Sequence, residues 1–277
     1  MMNSFTLHLK DEFPFLGENG KDPRVEIMLP YNMTEMHREN QKRPCMVVCP
    51  GGGYGGCSQR EAEPIGLHFL PDGYNVFTLY YSCAPNRFPT QLVEVAAVME
   101  LIYRHADEWN CDTNRVAIIG FSAGGHLAAH YSTCYDCAEV RQVFPDSKGV
   151  QATVLGYPVI TADSRYCNLG SFRNLSGHDT LSDEEVARFS CERHVTDHTP
   201  PAYIFHTSND RVVPVMNAFL YAEALHDHNV PVEVHVYPKG EHGLATADDA
   251  TCGELPADIA RCAAWMAEAR QWLKHTL

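Results

Sequence analysis

The chain has 277 residues, 45% of them hydrophobic, and a formal net charge of −14 at pH 7. This length and apolar fraction allow a sizeable buried core in one domain. The negative charge argues against nucleic acid and anionic membrane as partners, because either would require a cationic face on the protein.

The hydropathy of the chain predicts neither a membrane span nor a secretory signal. No run approaches the roughly 18 apolar residues of a spanning helix, and the beginning, MMNSFTLHLKDEF, is too polar for a signal peptide. Eleven cysteines are scattered through the predicted elements, which favours free thiols in a reducing compartment over a disulfide framework. We therefore expect a cytoplasmic protein.

The pattern of apolar residues predicts an α/β fold. Two strand-like stretches, 5–9 and 24–29, come first and resemble an antiparallel hairpin. Strand-like and helical runs then alternate, which predicts a mainly parallel central sheet with helices on both faces, in a single domain over 1–277. The predicted strands cover 45–49, 75–80, 116–119, 151–155, 202–206 and 232–237, and the predicted helices 62–70, 92–109, 123–134, 215–228 and 257–277.

Residues 158–201 interrupt this alternation. The segment is polar and contains one convincing helix, which begins at a capping box formed by Ser182 and Glu185. A connection of this length inside a compact domain is usually functional or disordered. We interpret it as a small lid-like insertion over the carboxyl end of the sheet, and the alternative is a mere surface excursion.

The sequence Gly120-Phe121-Ser122-Ala123-Gly124 places a serine between a buried strand and an alanine-rich helix. Two glycines at these positions remove side chains where a sharp strand-to-helix turn forces the backbones together. Such a serine is a candidate nucleophile, but the motif is too short to be specific by itself. It requires a base, an acid that orients the base, and N–H donors for an oxyanion.

Both partners are found in the expected order, an acid and then a histidine. Asp210 follows the strand AYIFH, and His242 follows the strand VEVHVYP, so both lie in loops at the carboxyl ends of strands. Taken singly, Asp210 could be a turn or capping aspartate and His242 a surface histidine. Taken together, Ser122, Asp210 and His242 predict a catalytic triad.

The glycine run in VVCPGGGYGG directly follows the first parallel strand. Glycines 51–53 let the backbone turn its N–H groups inward, as in an HGGG loop with Pro50 in place of the histidine. We predict an oxyanion hole from the N–H groups of Gly52, Gly53 and Ala123. A phosphate-binding loop is the rival interpretation, but neither G-x-G-x-x-G nor G-K-[ST] is present.

A possible metal-binding stripe lies on the helix after the serine. His126, His130 and Cys134 are spaced four residues apart, so they share one helix face. Three ligands over two turns are too widely spread to meet at one ion, so we expect structural histidines and no metal.

Three stretches together resemble the α/β-hydrolase superfamily, and within it esterases similar to bacterial acetyl esterases and acetylxylan esterases. These stretches are PGGGYGGCSQREAEPIGLHFLPDGYNVFTLYYS, RVAIIGFSAGGHLAA and HTPPAYIFHTSNDRVVPVMNAFLYAEALHDHNVPVEVHVYPKGEHGL. The resemblance implies an α/β-hydrolase fold, the triad and oxyanion hole named above, and no cofactor.

The resemblance also implies hydrolysis of short acyl esters, such as acetyl groups on carbohydrates, through an acyl-enzyme. The polar residues predicted in the lid suit a small-molecule or oligosaccharide ester better than a lipid: Arg165, Asn168, Arg173, Asn174, His178 and Asp179. An amidase or peptidase, and a catalytically silent binding protein, are the alternative functions. The sequence leaves open whether the protein forms a homo-oligomer.

Overall fold

Eight strands form one sheet in the computed structural model, which describes residues 2–253 and 259–277. The order across the sheet is β1-β2-β4-β3-β5-β6-β7-β8. The predicted N-terminal hairpin is confirmed, because β1 pairs antiparallel with β2, and β2 pairs antiparallel with β4. The remaining pairs are parallel. The strands are β1 (Asn3–His8), β2 (Arg24–Leu29), β3 (Arg43–Cys49), β4 (Asn75–Tyr80), β5 (Cys111–Phe121), β6 (Ala152–Gly156), β7 (Ala202–Thr207) and β8 (Val232–Tyr237).

Helices cover both faces of this sheet, as the alternating pattern predicts. In the described ranges they are α1 (Leu9–Glu12), α2 (Glu63–Phe69), α3 (Thr90–Arg104), α4 (Ala123–Cys134), α5 (Ala138–Arg141), α6 (Leu169–Ser176), α7 (Asp183–Phe189), α8 (Met216–Asp227), α9 (Asp249–Cys252) and α10 (Ala264–Thr276). Successive strand side chains point to opposite faces, so Val47 packs in the core under α3 and α4, while Met46 packs in the core under α2 and α10.

Two predicted helices have different boundaries. The helix predicted over 92–109 ends at Arg104, because the chain must turn back into β5, and the side chain of Asn75 donates to the carbonyl of Trp109 in that turn at 2.8 Å. The helix predicted over 257–277 is α-helical only from Ala264 to Thr276. Its predicted first residues, 257 and 258, lie outside the described part of the chain.

The segment 158–201 contains a helix that the sequence analysis missed. The capping box at Ser182 and Glu185 is confirmed at the beginning of α7. A second helix, α6, begins after Asn168, whose side chain accepts the N–H of Ser171, and it ends at Gly177, which has a φ of 78°. An asparagine cap and a glycine nine residues later were the signal for this helix.

The turn between β5 and α4 brings three backbones into contact. A Cβ on Gly120 would collide with the carbonyl of Gly124, and a Cβ on Gly124 would collide with the carbonyls of Cys49 and Pro50. The end of β3, the end of β5 and the beginning of α4 therefore approach more closely than any side chain allows.

All eleven cysteines lie in the described ranges, and each is a free thiol. Among the helices of these ranges, none combines the length and apolarity needed to cross a bilayer.

Replacing Gly124 with Ala should lower the free energy of unfolding by about 2 to 3 kcal/mol, because the new methyl group overpacks a site bounded by backbone. Urea unfolding of the variant and the wild type measures this difference. Gly56→Ala is the control, because a Cβ at Gly56 meets no heavy atom within 4 Å. Equal losses in the two variants would contradict the steric explanation.

Candidate active site

Ser122, His242 and Asp210 form one continuous line of hydrogen bonds. They come from the loops after β5, β8 and β7, at the carboxyl edge of the sheet. The Nε2 atom of His242 lies 2.8 Å from Oγ of Ser122, and its Nδ1 atom lies 2.7 Å from Oδ2 of Asp210. These distances suit a proton passing from the hydroxyl to a ring whose other nitrogen is held by a carboxylate.

The Asp210 carboxylate is completely buried at the end of this line, with 0% side-chain exposure. Burial raises its pKa, but the hydrogen bond and attraction from His242, with the N–H groups of Val212 and Val213, bring the pKa below its ordinary value of 3.8. Both N–H groups reach Oδ1, at 2.8 and 2.9 Å, so Oδ2 is left to His242. The carboxylate is therefore ionised and aimed at Nδ1 of the imidazole.

Ser122 has a strained backbone conformation, with φ 52° and ψ −121°. Residues other than glycine rarely adopt a positive φ, and such conformations concentrate at functional sites. The turn places Oγ at the surface of a cavity although the residue is only 8% exposed.

The glycine loop after β3 lies beside the serine. The N–H of Gly51 is already used, because it donates to Oε2 of Glu61 at 2.8 Å. Neither Gly52 nor Gly53 has a backbone N–H that donates a hydrogen bond within the described part of the chain, and both residues line the cavity with Ser122. Ala123 is the first residue of α4, so its N–H lacks a partner inside the helix.

The cavity at Ser122 has a volume of 410 Å³, and most of the residues that line it are polar residues or glycines. Three polar residues of this wall belong to α6: Asn168 caps the helix, and Ser171 and Asn174 lie within it. Asn174 also reaches the glycine loop, where its Nδ2 donates to the carbonyl of Gly53 at 2.8 Å. The missed helix α6 therefore supplies polar side chains that face the serine.

Four other polar residues noted in the segment lie away from Ser122. Arg173 and Asp179 line a neighbouring cleft of 540 Å³. Arg165 pairs with Asp163 at 2.6 Å, and His178 pairs with Glu185 at 2.6 Å. Only Asn168 and Asn174 of the six predicted residues line the cavity at the serine.

The helical histidine stripe has a structural explanation at its first position. Both ring nitrogens of His126 have partners, Nδ1 with the hydroxyl of Tyr54 at 2.7 Å and Nε2 with the carbonyl of Phe189 at 2.8 Å. His130 is buried and stacks against Phe88. In the residues that the structure describes, no three His, Cys, Asp or Glu side chains are placed to share a metal ion.

A buried pair that the sequence analysis missed also lies at this site. Glu61 lines the cavity, and Tyr157 packs its ring edge against His242 with the centroids 5.0 Å apart. Nothing in the sequence around either residue indicates that the two meet.

This sheet, with a serine on a strained strand-to-helix turn, defines an α/β hydrolase. The chain belongs to the BD-FAE family, whose model matches residues 32–225, and the dienelactone hydrolase family model matches residues 188–277. The predicted α/β-hydrolase fold and membership are thereby confirmed, and the chain is a hydrolase.

Two curated relatives extend beyond this chain. It is 36% identical to endo-1,4-beta-xylanase B of Butyrivibrio fibrisolvens over 80% of the chain and 35% of that protein. It is 32% identical to the acetylxylan esterase of Xylanibacter ruminicola over 87% of the chain and 46% of that protein. The crystal structure of an acetyl ester-xyloside bifunctional hydrolase from Caldicellulosiruptor lactoaceticus is 30% identical, with a TM-score of 0.83 over 98% of this chain and 96% of the other. The chain thus spans less than half the length of these two curated relatives.

The Asp210 hydrogen bonds should make stability depend on pH. Because the folded-state pKa lies below the ordinary value of 3.8, the stabilisation is present above pH 3.8 and is lost as the pH falls through the folded pKa. At pH 7 the free energy of unfolding of the wild type should be about 1 to 3 kcal/mol larger than that of Asp210→Asn. Urea unfolding of both proteins from pH 7 to 3 measures the difference, and a difference that stays constant down to pH 3 would contradict this assignment.

Proposed function

We propose that the chain is a serine carboxylesterase that removes acetyl and other short acyl groups from carbohydrates. Ser122 is the nucleophile, His242 the general base and acid, and Asp210 the residue that holds the imidazole tautomer. The observation that carries the proposal is the unbroken line Asp210–His242–Ser122 at the wall of a cavity lined mostly by polar residues and glycines.

The reaction has two halves. In the first, Oγ of Ser122 bonds to the ester carbonyl carbon while Nε2 of His242 takes the hydroxyl proton. The bond from that carbon to the alcohol oxygen then breaks, and His242 gives the proton to the departing alcohol. In the second half, water attacks the acyl-serine, His242 takes a proton from the water, and the free acid departs as Ser122 regains its proton. No step requires a metal or a cofactor.

The carbonyl oxygen becomes negatively charged in each half, and backbone N–H groups must stabilise it. We assign this role to Gly52, Gly53 and Ala123. The engagement of the Gly51 N–H by Glu61 supports the choice of the next two glycines. Ala123 contributes the unpaired N–H of the first helical residue, where the helix dipole also favours negative charge.

The proposed substrate class is an acetylated sugar or oligosaccharide. Oδ1 of Asn174 and Oγ of Ser171 can accept hydrogen bonds from sugar hydroxyls, whereas a lipid would require more apolar side chains than this lining supplies with Val212. The names of the similar proteins, an acetylxylan esterase and an acetyl ester-xyloside hydrolase, support the same substrate class. We propose that 158–201 acts as the lid over this cavity.

Ser122→Ala should lower kcat for aryl acetate hydrolysis by about 10⁴-fold or more, because the nucleophile and its base act as a unit. Initial rates with a chromogenic acetate measure this loss. Ser132→Ala is the matched control, because Ser132 is likewise buried but lies within α4, where its hydroxyl is 2.7 Å from the hydroxyl of Thr153, and it does not line the cavity. Near-normal turnover by Ser122→Ala would refute the nucleophile assignment.

The catalytic efficiency, kcat/KM, should fall as the acyl chain becomes longer. Along a series of esters of one alcohol, kcat/KM should be highest for acetate and clearly lower for octanoate, and acetylated xylo-oligosaccharides should release acetate. A rise toward long chains would refute the acyl preference. Good activity on aryl acetates without acetate release from any acetylated sugar would refute the carbohydrate part alone, and faster cleavage of the matching anilides would favour an amidase.

Ester hydrolysis should survive exhaustive chelation, because the proposed mechanism has no Lewis acid. Dialysis against a strong chelator followed by the aryl acetate assay tests this. A loss of activity that zinc or manganese restores would contradict the mechanism and make His126 and His130 candidate ligands.

A further inference from the structure

A buried carboxylate lies against the glycine loop and bonds in two directions. Glu61 is 3% exposed. Its Oε2 accepts the N–H of Gly51 at 2.8 Å, and its Oε1 accepts the hydroxyl proton of Tyr157 at 2.7 Å. Burying a carboxylate is costly unless donors compensate it, and here both Glu61 oxygens have a donor.

The Tyr157 hydroxyl extends this connection to the loop that carries the histidine. Its oxygen accepts the N–H of Ala245 at 2.8 Å, three residues after His242. The Tyr157 ring also packs edge-on against the imidazole. Gly51, Glu61, Tyr157 and Ala245 thus form a chain of hydrogen bonds between the glycine loop and the histidine loop.

We propose that Glu61 and Tyr157 are positioning residues that hold the glycine loop and the His242 loop at a fixed separation around Ser122. This inference rests on the proposed function. Because the Gly51 N–H donates to Glu61, it points away from the cavity, and the N–H groups of Gly52 and Gly53 are left to face it. At the other end of the chain, the Tyr157 hydroxyl accepts the N–H of Ala245. This bond fixes the loop that carries His242, so the imidazole stays within hydrogen-bond distance of Ser122.

A neutral amide cannot replace the carboxylate in this arrangement. Glu61 accepts at both oxygens, whereas a glutamine has one acceptor and one NH₂ donor. Glu61→Gln therefore sets an NH₂ group against either the Gly51 N–H or the Tyr157 hydroxyl. Against Gly51, two donors meet and the Gly51 N–H loses its acceptor; against Tyr157, the hydroxyl must accept from the amide as well as from Ala245, and its own proton loses its acceptor.

Glu61→Gln and Tyr157→Phe should each lower kcat for aryl acetate by about 10²-fold with KM near the wild-type value, because the change misplaces groups that act in the transition state. The double variant should lose little more than the worse single one, because both changes break the same chain. Tyr157→Phe removes the hydroxyl but keeps the ring packing, so this variant alone tests the positioning role if Glu61→Gln does not fold.

The matched control is Glu94→Gln. Glu94 is 0% exposed and accepts the N–H of Ser82 at 2.7 Å, but it does not line the cavity. A second measurement is the rate at which an aryl phosphonate labels the serine, followed by intact mass, because a phosphonate uses the oxyanion hole without requiring the correct ester.

The outcomes separate the inference from the proposed function. If wild type neither hydrolyses aryl acetate nor takes up phosphonate, the proposed function fails. If wild type does both, and the two variants match it or lose no more than Glu94→Gln, the positioning role is refuted. Losses in kcat and labelling rate that the control does not share support the inference.

Discussion

The strained backbone of Ser122 is the constraint on which the rest of the site depends. A conformation of this kind costs about 1 to 3 kcal/mol and persists only where the surroundings hold it. Here the Ser122 N–H donates to the carbonyl of Gly156 at 3.0 Å, and its carbonyl accepts the N–H groups of His126 and Val159, each at 3.0 Å. The first turn of α4 and the chain at the end of β6 therefore fix the Ser122 backbone independently of its side-chain hydrogen bond to His242.

This turn also determines where the glycine loop can lie. Because the helix begins directly against the carbonyls of Cys49 and Pro50, the chain leaving β3 must pass next to the serine. A Cβ at Gly51 would lie 2.7 Å from the carbonyl oxygen of Phe121 and 3.0 Å from the Ser122 Cβ. Glycine at these positions thus allows a close approach of backbones, and the nearness of Gly52 and Gly53 to Ser122 follows from packing.

The sequence predicts the features that depend on local pattern and on parallel topology. Alternating strands and helices give the sheet, and parallel strands end at one edge, so loops far apart in the chain bring Ser122, Asp210 and His242 together. Features that depend on tertiary contact were missed. Glu61 and Tyr157 meet across 96 residues without any spacing that marks them, and α6 is short and polar enough to be taken for a loop.

The segment 158–201 lines the cavity at Ser122 and also supports the glycine loop, which includes Tyr54. The carbonyl of Phe189, at the end of α7, can only accept, so Nε2 of His126 must carry the proton. Burial lowers the pKa of His126 to about 4, so the ring is neutral near pH 7 and Nδ1 is free to accept the hydroxyl of Tyr54. Nδ2 of Asn174, in α6, donates a hydrogen bond to the carbonyl of Gly53. The same segment thus supplies polar side chains to the cavity wall and supports the loop that carries two N–H groups of the proposed oxyanion hole, so the proposed substrate contacts and the proposed oxyanion hole depend on the same helix.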